Sequence, residues 1–378
     1  MYNILMNNFF NPEQQINIKY TLSLVSAVIN EIEPKEPDFA PDWEFIFSFT
    51  HTHFIDNTVF YAIEKLNNKP QPELFKKWRD IRNKCIHRNM IQRQEFASVC
   101  ACFNKNDIEY MNVKGFSVSE LYPDEAMRYM GDLDILIKDR RDDAVNLLLG
   151  MGYTIKENGI DYDKPLTKPP FMVIELHNSL FPMHSPYRSN FEDAFSKASK
   201  NDNLYTMSGE DFYIYETAHL YKHFSDSGTG IRSIIDFYLI NKKLLPKLDG
   251  SVIKAQLKEL ELDEFSEKIQ KMAEKWFENE DYSDFSDDEK YVLTSGLYGT
   301  KEHSVKNKTE AQSDSEYIRE RLFPPKKLMY EIFPNLQKRP FLLPFYYTLR
   351  FFRGAFFKRK KLKNEYKILK STKNETEK

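Results

Sequence analysis

Two carboxylates interrupt the start of an apolar segment in Gly131-Asp-Leu-Asp-Ile-Leu-Ile137, and this combination restricts the chain more than any other stretch of it. Leu133, Ile135, Leu136 and Ile137 read as a buried strand. Asp is depleted in strands, and an unpaired buried carboxylate is costly. Strand residues two apart face the same side, so Asp132 and Asp134 are expected to project together, with Leu133, Ile135 and Ile137 in a core. Like charges at such range raise each other's pKa. A hard divalent cation relieves both costs by taking carboxylate oxygens, and Mg2+ usually completes its shell with phosphate oxygens. The segment therefore predicts a strand that presents carboxylates to a metal and a phosphate-bearing ligand.

Two further features fit that chemistry. In Val173-Ile-Glu-Leu-His177, Glu175 and His177 share one face of a short strand. If that strand lies beside the first, Glu175 completes a triad of carboxylates that could serve two metals. Upstream, Lys114-Gly115-Phe116-Ser117 reads as a strand end passing into a helix, where the glycine admits a ligand to the backbone and the helix start offers N–H groups to an anion. Lys114 and Arg128 could neutralise phosphate charge. A lone D-x-D or Lys-Gly says little. The order carries the reading: K-G-x-S, about fifteen residues to D-x-D, a helix, then an acid in a strand some forty residues on.

The surroundings read as mostly helical. With 378 residues the chain exceeds one average domain, and only 12 glycines favour helix over Gly-rich architectures. The expected organisation is a helical region at 1–103, an α/β core at 104–205, a helical domain at 206–330 and a basic aromatic segment at 331–378. Within the core, Ser117-Val-Ser-Glu120 has the capping-box pattern, and Asp139 is placed to cap a helix running through Leu149. Strands are expected at Asp107–Val113, Leu133–Ile137, Tyr153–Lys156 and Val173–His177. Later helices are expected at Phe212–Phe224, Ile231–Leu244 and Ser251–Trp276, with Gly299–Ser315 a loose connector.

Charge is unevenly spread. The net charge of -3 combines roughly -13 over residues 1–337 with about +10 between Lys338 and Lys370. Three clustered cysteines do not make a disulfide framework, and the N-terminal residues lack a secretory pattern, so a reducing, cytoplasmic setting is expected. Phe345, Leu349, Phe352 and Phe356 fall on one helical face bordered by Arg350, Arg353, Arg359 and Lys360. Such a helix can pack on the body, lie on anionic lipid at the inner membrane surface, or contact RNA. The acidic body disfavours extended tracking along nucleic acid.

The ordered motifs resemble the polymerase-β-type nucleotidyltransferase superfamily, whose pattern is a Gly turn, a D-h-[D/E] strand and a third acid in a later strand. More closely, Lys114-Gly115, Tyr122-Pro123, Arg128, Gly131-Asp132-Leu133-Asp134, Gly152-Tyr153 and Glu175-Leu176-His177 resemble the signature of the uncharacterised nucleotidyltransferase family. His223, Arg232 and Asp236 match its downstream H…R…D pattern, and Phe323-Pro324 with Leu342 to Lys361 is similar to its C-terminus. One departure from the wider superfamily is Phe116 after Gly115, which moves the hydroxyl of Ser117 one position late.

The resemblance implies an α+β fold, with a small mixed-sheet nucleotidyltransferase core embedded in a mostly helical chain. It implies transfer of a nucleoside monophosphate from an NTP, such as ATP, to a hydroxyl acceptor with loss of pyrophosphate. Asp132, Asp134 and Glu175 would be the catalytic metal ligands for Mg2+ (or Mn2+). Lys114, Gly115, Ser117 and Arg128 would bind the nucleotide, and His177, His223, Arg232 and Asp236 would serve the acceptor or support the site. A small-molecule acceptor from surface-polysaccharide or secondary-metabolite synthesis is the favoured class. The alternatives are a toxin-like enzyme acting on tRNA or protein, and a non-catalytic scaffold or membrane-peripheral protein that keeps the fold. On spacing alone, Arg232 and Asp236 read as an intrahelical salt bridge, His219 and His223 as a helix face, and His51 and His53 beside Asp56 as structural histidines.

Overall fold

The computed structural model describes residues 10–156, 163–311, 313–357 and 368. It is an α+β protein in which one mixed sheet is set among helices. The chain begins with helices α1 (Pro12–Ile29), α2 (Trp43–Thr52), α3 (Asp56–Ile63) and the long α4 (Pro72–Lys105). Then come β1 (Tyr110–Asn112), α5 (Phe116–Ser119), β2 (Leu133–Ile137), α6 (Arg141–Gly150), β3 (Thr154–Ile155), β4 (Asp163–Lys168) and β5 (Met172–His177). After α7 (Ala194–Lys197), β6 (Ser199–Asn201) and β7 (Leu204–Thr206) complete the sheet. The rest is helical: α8 (Gly209–Asp226), α9 (Ile231–Lys243), α10 (Gly250–Glu259), α11 (Asp263–Phe277), α12 (Asp287–Ser295), α13 (Lys301–Ala311), α14 (Asp314–Leu322), α15 (Lys326–Ile332), α16 (Asn335–Lys338) and α17 (Leu343–Phe357).

The strand order is β3-β4-β5-β2-β1-β7-β6. β2 occupies the middle, antiparallel to β1 and parallel to β5. Its near-continuous apolar run follows from burial on both faces. Leu133, Ile135 and Ile137 join Val99 and Phe103 of α4 and Ala144 and Leu148 of α6 in one core. Leu136 looks the other way, into a second core shared with α1, α3, α9 and α11. Asp134 is on the Leu136 side of the strand, which directs its carboxylate toward the helical layer.

Several expectations shift in detail. Strand β2 has the expected bounds and β5 begins one residue early, whereas β1 keeps only Tyr110–Asn112 of the expected Asp107–Val113. The capping box at Ser117 does not form: α5 starts after Gly115 with no side-chain cap, and Ser117 lies inside the helix. Asp139 does not cap α6, whose N-cap is Arg140 at φ 58°. The stretch Ser251–Trp276 breaks at Leu260 to Leu262, where Glu261 turns to φ 56°. Residues expected as a connector after Gly299 form α13, which packs against α8. No helix among the described residues is long and apolar enough to cross a membrane.

Candidate active site

Strand pairing brings the carboxylates together. The parallel register sets Asp134 opposite Glu175 and Leu136 opposite His177. In parallel pairs side chains at matched positions stand side by side, so the acids neighbour each other on the face turned toward α8 and α9. One oxygen each from Asp134 and Glu175 and one ring nitrogen of His177 lie within 4.8 Å of one another. His177 Nε2 is 2.8 Å from Asp134 Oδ1 and 3.9 Å from Glu175 Oε2. Asp132 is not part of that set; it lies just before β2 and enters the same cavity from the wall.

The cavity measures about 330 Å³ and is lined from both layers. The sheet side contributes Lys114, Gly115, Asp132, Asp134, Glu175 and His177; α8 contributes Glu216, His219, Lys222 and His223; α9 contributes Arg232 and Asp236. Gly115 turns the chain out of β1 at φ 91°, a conformation that disfavours a Cβ, and an added Cβ would meet Met130 Sδ at 3.0 Å. Arg128 also lines the cavity, whereas Ser117 is not among the lining residues.

The segment from Tyr122 to Asp132 is fastened by polar side chains from the helices. Asn57 Nδ2 donates to the carbonyls of Ala126 and Met127, and Thr58 Oγ1 donates to that of Met127. Gln92 Nε2 donates to the carbonyl of Met130, and Arg232 Nη1 to that of Tyr129. These bonds satisfy buried backbone oxygens in a stretch whose regular structure is limited to a single 3-10 turn at Glu125–Met127.

Beneath the cavity lies a buried ion pair. Arg128 Nε and Nη2 donate to the two oxygens of Asp236 at 2.8 and 2.9 Å, and Tyr122 Oη donates to Asp236 Oδ1 at 2.7 Å. Asp236 thus takes Arg128 from across the site, in place of the intrahelical partner Arg232 that its spacing suggests. Burial alone would push the Asp236 carboxyl up, but the Arg128 charge and hydrogen bonds hold it below the usual range. Burial, then repulsion from Arg128, lowers the pKa of Arg232 against the opposing Asp236 charge, and its Nε finds no hydrogen-bond partner among the described residues.

Lys114 has a comparable anchor. Its Nζ lies 2.8 Å from Glu216 Oε2 and 3.3 Å from His219 Nδ1. An ammonium only donates, so His219 Nδ1 accepts, and its Nε2 carries the proton toward His223 Nε2 at 3.3 Å. Burial, then the Lys114 charge, holds His219 well below the usual histidine range; His223 keeps a solvent-exposed edge, but the surrounding protein and Lys222 bring it down to about 4. Glu216 is pushed up by burial, with Lys114 opposing.

The paired aspartates titrate apart. Asp132 keeps a solvent-exposed surface, but surrounding protein and the Asp134 charge raise its carboxyl. Burial works the same way on Asp134, yet the hydrogen bond and charge of His177, with Lys114 and Lys222, bring it below the usual carboxylate range.

Every sequence-predicted residue except Ser117 lines this one cavity. Sequence reasoning assigned no role to Glu216, Lys222 or Tyr298. A signal existed for α8: Glu216, His219 and His223 recur at i, i+3 and i+7, a run of titratable side chains along one face of the helix. Tyr298 had none, since it lies just before the stretch read as a connector, outside every expected element. His51 and His53 form no common site: His51 pairs with Asp56, and His53 is buried between the Leu293 carbonyl and the Ile231 amide.

No curated protein and no solved structure matches this chain. The family model described as uncharacterised nucleotidyltransferase matches residues 40–278, which takes in the sheet, all of the cavity lining except Leu297 and Tyr298, and helices on both sides of it. The chain therefore belongs to the uncharacterised nucleotidyltransferase family, and nucleotidyl transfer is the class of activity that this membership carries.

Proposed function

We propose that this protein is a metal-dependent nucleotidyltransferase that moves a nucleoside monophosphate from an NTP to the hydroxyl of a small-molecule acceptor and releases pyrophosphate. One observation carries the reading: Asp134, Glu175 and His177 offer ligand atoms within 4.8 Å of one another, in a cavity that also holds Lys114, Arg128 and Arg232. Carboxylates and cations in one pocket suit a ligand that is itself anionic and metal-bound.

The donor set fits a divalent cation. Asp134 and Glu175 would hold it, with Asp132 adding an oxygen from the cavity wall. His177 donates to Asp134 and so orients that carboxylate, as outer partners of metal ligands do. Two carboxylate donors with waters and phosphate oxygens suit Mg2+, and a neighbouring imidazole is equally compatible with Mn2+. A divalent cation at this position supplies charge neutralisation and polarisation of the phosphoryl oxygens.

The chain's own groups do the rest by position and charge. Lys114, held by Glu216, and Arg232, short of one hydrogen-bond partner, meet the triphosphate. Arg128 commits two nitrogens to Asp236 and keeps Nη1 for a phosphate oxygen. Gly115 lets backbone approach. Glu175 takes the proton of the acceptor hydroxyl as that oxygen bonds to the α-phosphorus. The bond from the α-phosphorus to the bridging oxygen breaks, and pyrophosphate leaves with its charge against Lys114 and Arg232. The acidic character of residues 1–337 supports a small acceptor over a long nucleic acid.

The test is incubation with each NTP labelled at the α-phosphate, with Mg2+ or Mn2+ and a metabolite extract divided by size. Label and equimolar pyrophosphate in the small-molecule fraction support the reading. Label only in tRNA or protein would move the acceptor class, and no transfer with any NTP would contradict it.

A further inference from the structure

The C-terminal helix α17 offers a surface that the catalytic reading does not use. Its inner side is defined by contacts. Tyr346 packs on Phe333 with ring centroids 4.6 Å apart, and Tyr347 on Phe323 at 5.5 Å. Tyr347 Oη donates to the Pro324 carbonyl at 2.8 Å, and Arg350 Nη1 to the Arg321 carbonyl at 2.8 Å. A helix turns about 100° per residue, so Phe345 and Leu349 lie on the opposite side. They face solvent: Phe341 just before the helix is 77% exposed, Phe345 61% and Leu349 37%. The amphipathic pattern is inverted relative to a helix that packs its apolar stripe inward.

The charges around this face have one sign. From Phe323 to Phe357 the cations in the sequence are Lys326, Lys327, Lys338, Arg339, Arg350 and Arg353, of which Arg350 is turned to the inner side, and the one carboxylate is Glu331. Glu331 is buried and accepts from His184 Nδ1 at 2.7 Å, so it does not offset the exposed cations. The sequence continues past Phe357 with Lys358, Arg359, Lys360, Lys361 and Lys363.

We infer that α17 docks this protein on an anionic lipid bilayer, with Phe341, Phe345 and Leu349 entering the acyl boundary and Lys338 and Arg339 meeting headgroup phosphates. Aromatic and aliphatic side chains beside Lys and Arg, on a helix whose described residues are not long and apolar enough to cross a membrane, match an interfacial helix. Polybasic segments add attraction to an anionic leaflet. A second copy of the chain is the weaker occupant, because a two-fold contact through this face would set cation against cation. RNA would meet the cations but would leave the aliphatic part of the face in water.

The inference stands apart from the nucleotidyltransferase reading, since α17 contributes nothing to the cavity. The experiment uses the full chain and vesicles of phosphatidylcholine, either alone or with roughly three parts in ten phosphatidylserine, at about 0.15 M salt. The protein should sediment with the anionic vesicles and stay in solution with the neutral ones. Phe345→Asp with Leu349→Asp should weaken that binding about tenfold or more. Lys338→Glu with Arg339→Glu, which leaves the apolar face intact, should weaken it in the same direction, and circular dichroism should show both variants folded. Wild-type protein that ignores anionic vesicles would overturn the inference. So would variants that bind as the wild type does, a dimer abolished by Phe345→Asp, or RNA binding without vesicle binding.

Discussion

His177 Nε2 lies 2.8 Å from Asp134 Oδ1, and the parallel pairing of β2 with β5 is what places it there. An imidazole N–H on that oxygen fixes the direction of the carboxylate and keeps it ionised. Removing it should weaken metal-dependent activity without unfolding the protein. His177→Ala is expected to raise the metal concentration for half-maximal turnover by about 10- to 100-fold, as loss of such partners does elsewhere. His177→Gln, which keeps a donor, should recover part of the loss. Titrating activity with Mn2+ in both variants checks this.

Lys114 and Glu216 make a coupled prediction. Lys114→Met should cut kcat/KM by about 100-fold, because a preorganised cation opposite the phosphates is lost. It also leaves Glu216 buried without its partner. Burial already pushes that carboxyl up, so it can take a proton and limit the damage. Adding Glu216→Gln to Lys114→Met should restore stability but not activity. A double-mutant cycle in urea midpoint and in rate separates the two roles.

Arg128 and Asp236 are structural partners first. Asp236→Ala strands a buried guanidinium and should cost about 3–5 kcal/mol. Tyr122→Phe removes one of the three hydrogen bonds on that carboxylate and should cost about 1–3 kcal/mol. Denaturant unfolding reads both. Arg232, one turn from Asp236 but bonded to the Tyr129 carbonyl, should cost less stability and more activity when changed to Met.

Acid should destabilise the fold through His53. Its ring is fully buried and its pKa is brought down to about 4 by burial, with the Leu293 carbonyl opposing. The group binds its proton more readily in the unfolded chain, near 6.5, than in the folded one. Stability is therefore whole above about pH 6.5 and lost as pH falls toward 4, by up to about 3 kcal/mol. His303, also brought down to about 4 by burial, adds to the same slope. Urea midpoints between pH 7 and pH 4 should decline for the wild type and decline less for His53→Gln.

The residues that the sequence exposes are those whose chemistry conflicts with their setting. Asp134 stands in an apolar strand and Glu175 in another, and the fold sets them opposite each other. Lys114-Gly115 was visible because a glycine between a strand and a helix lets a ligand approach the backbone, and Gly115 there takes φ 91° and ψ -91°, where a Cβ is strained. Legibility fails where the partner is distant in sequence. Asp236 and Arg232 share a helix turn, yet Arg128 takes the carboxylate from 108 residues away. Strands β4 and β6 were missed because Lys, Asn and Pro obscure an alternating pattern, and β7 because three residues are too few to show one; backbone pairing with neighbouring strands recruits all three into the sheet. Asp139 and Ser117 looked like helix caps, but the neighbouring strands and turns set the helix starts elsewhere.

The most direct measurement is calorimetric NTP binding with and without Mg2+ or Mn2+, on the wild type, Asp134→Asn and Glu175→Gln. The wild type should bind an NTP only when the metal is present, and each variant should lose at least about 100-fold in affinity. Metal-independent binding, or binding that is indifferent to both substitutions, would contradict the assignment of this cavity to nucleotidyl transfer.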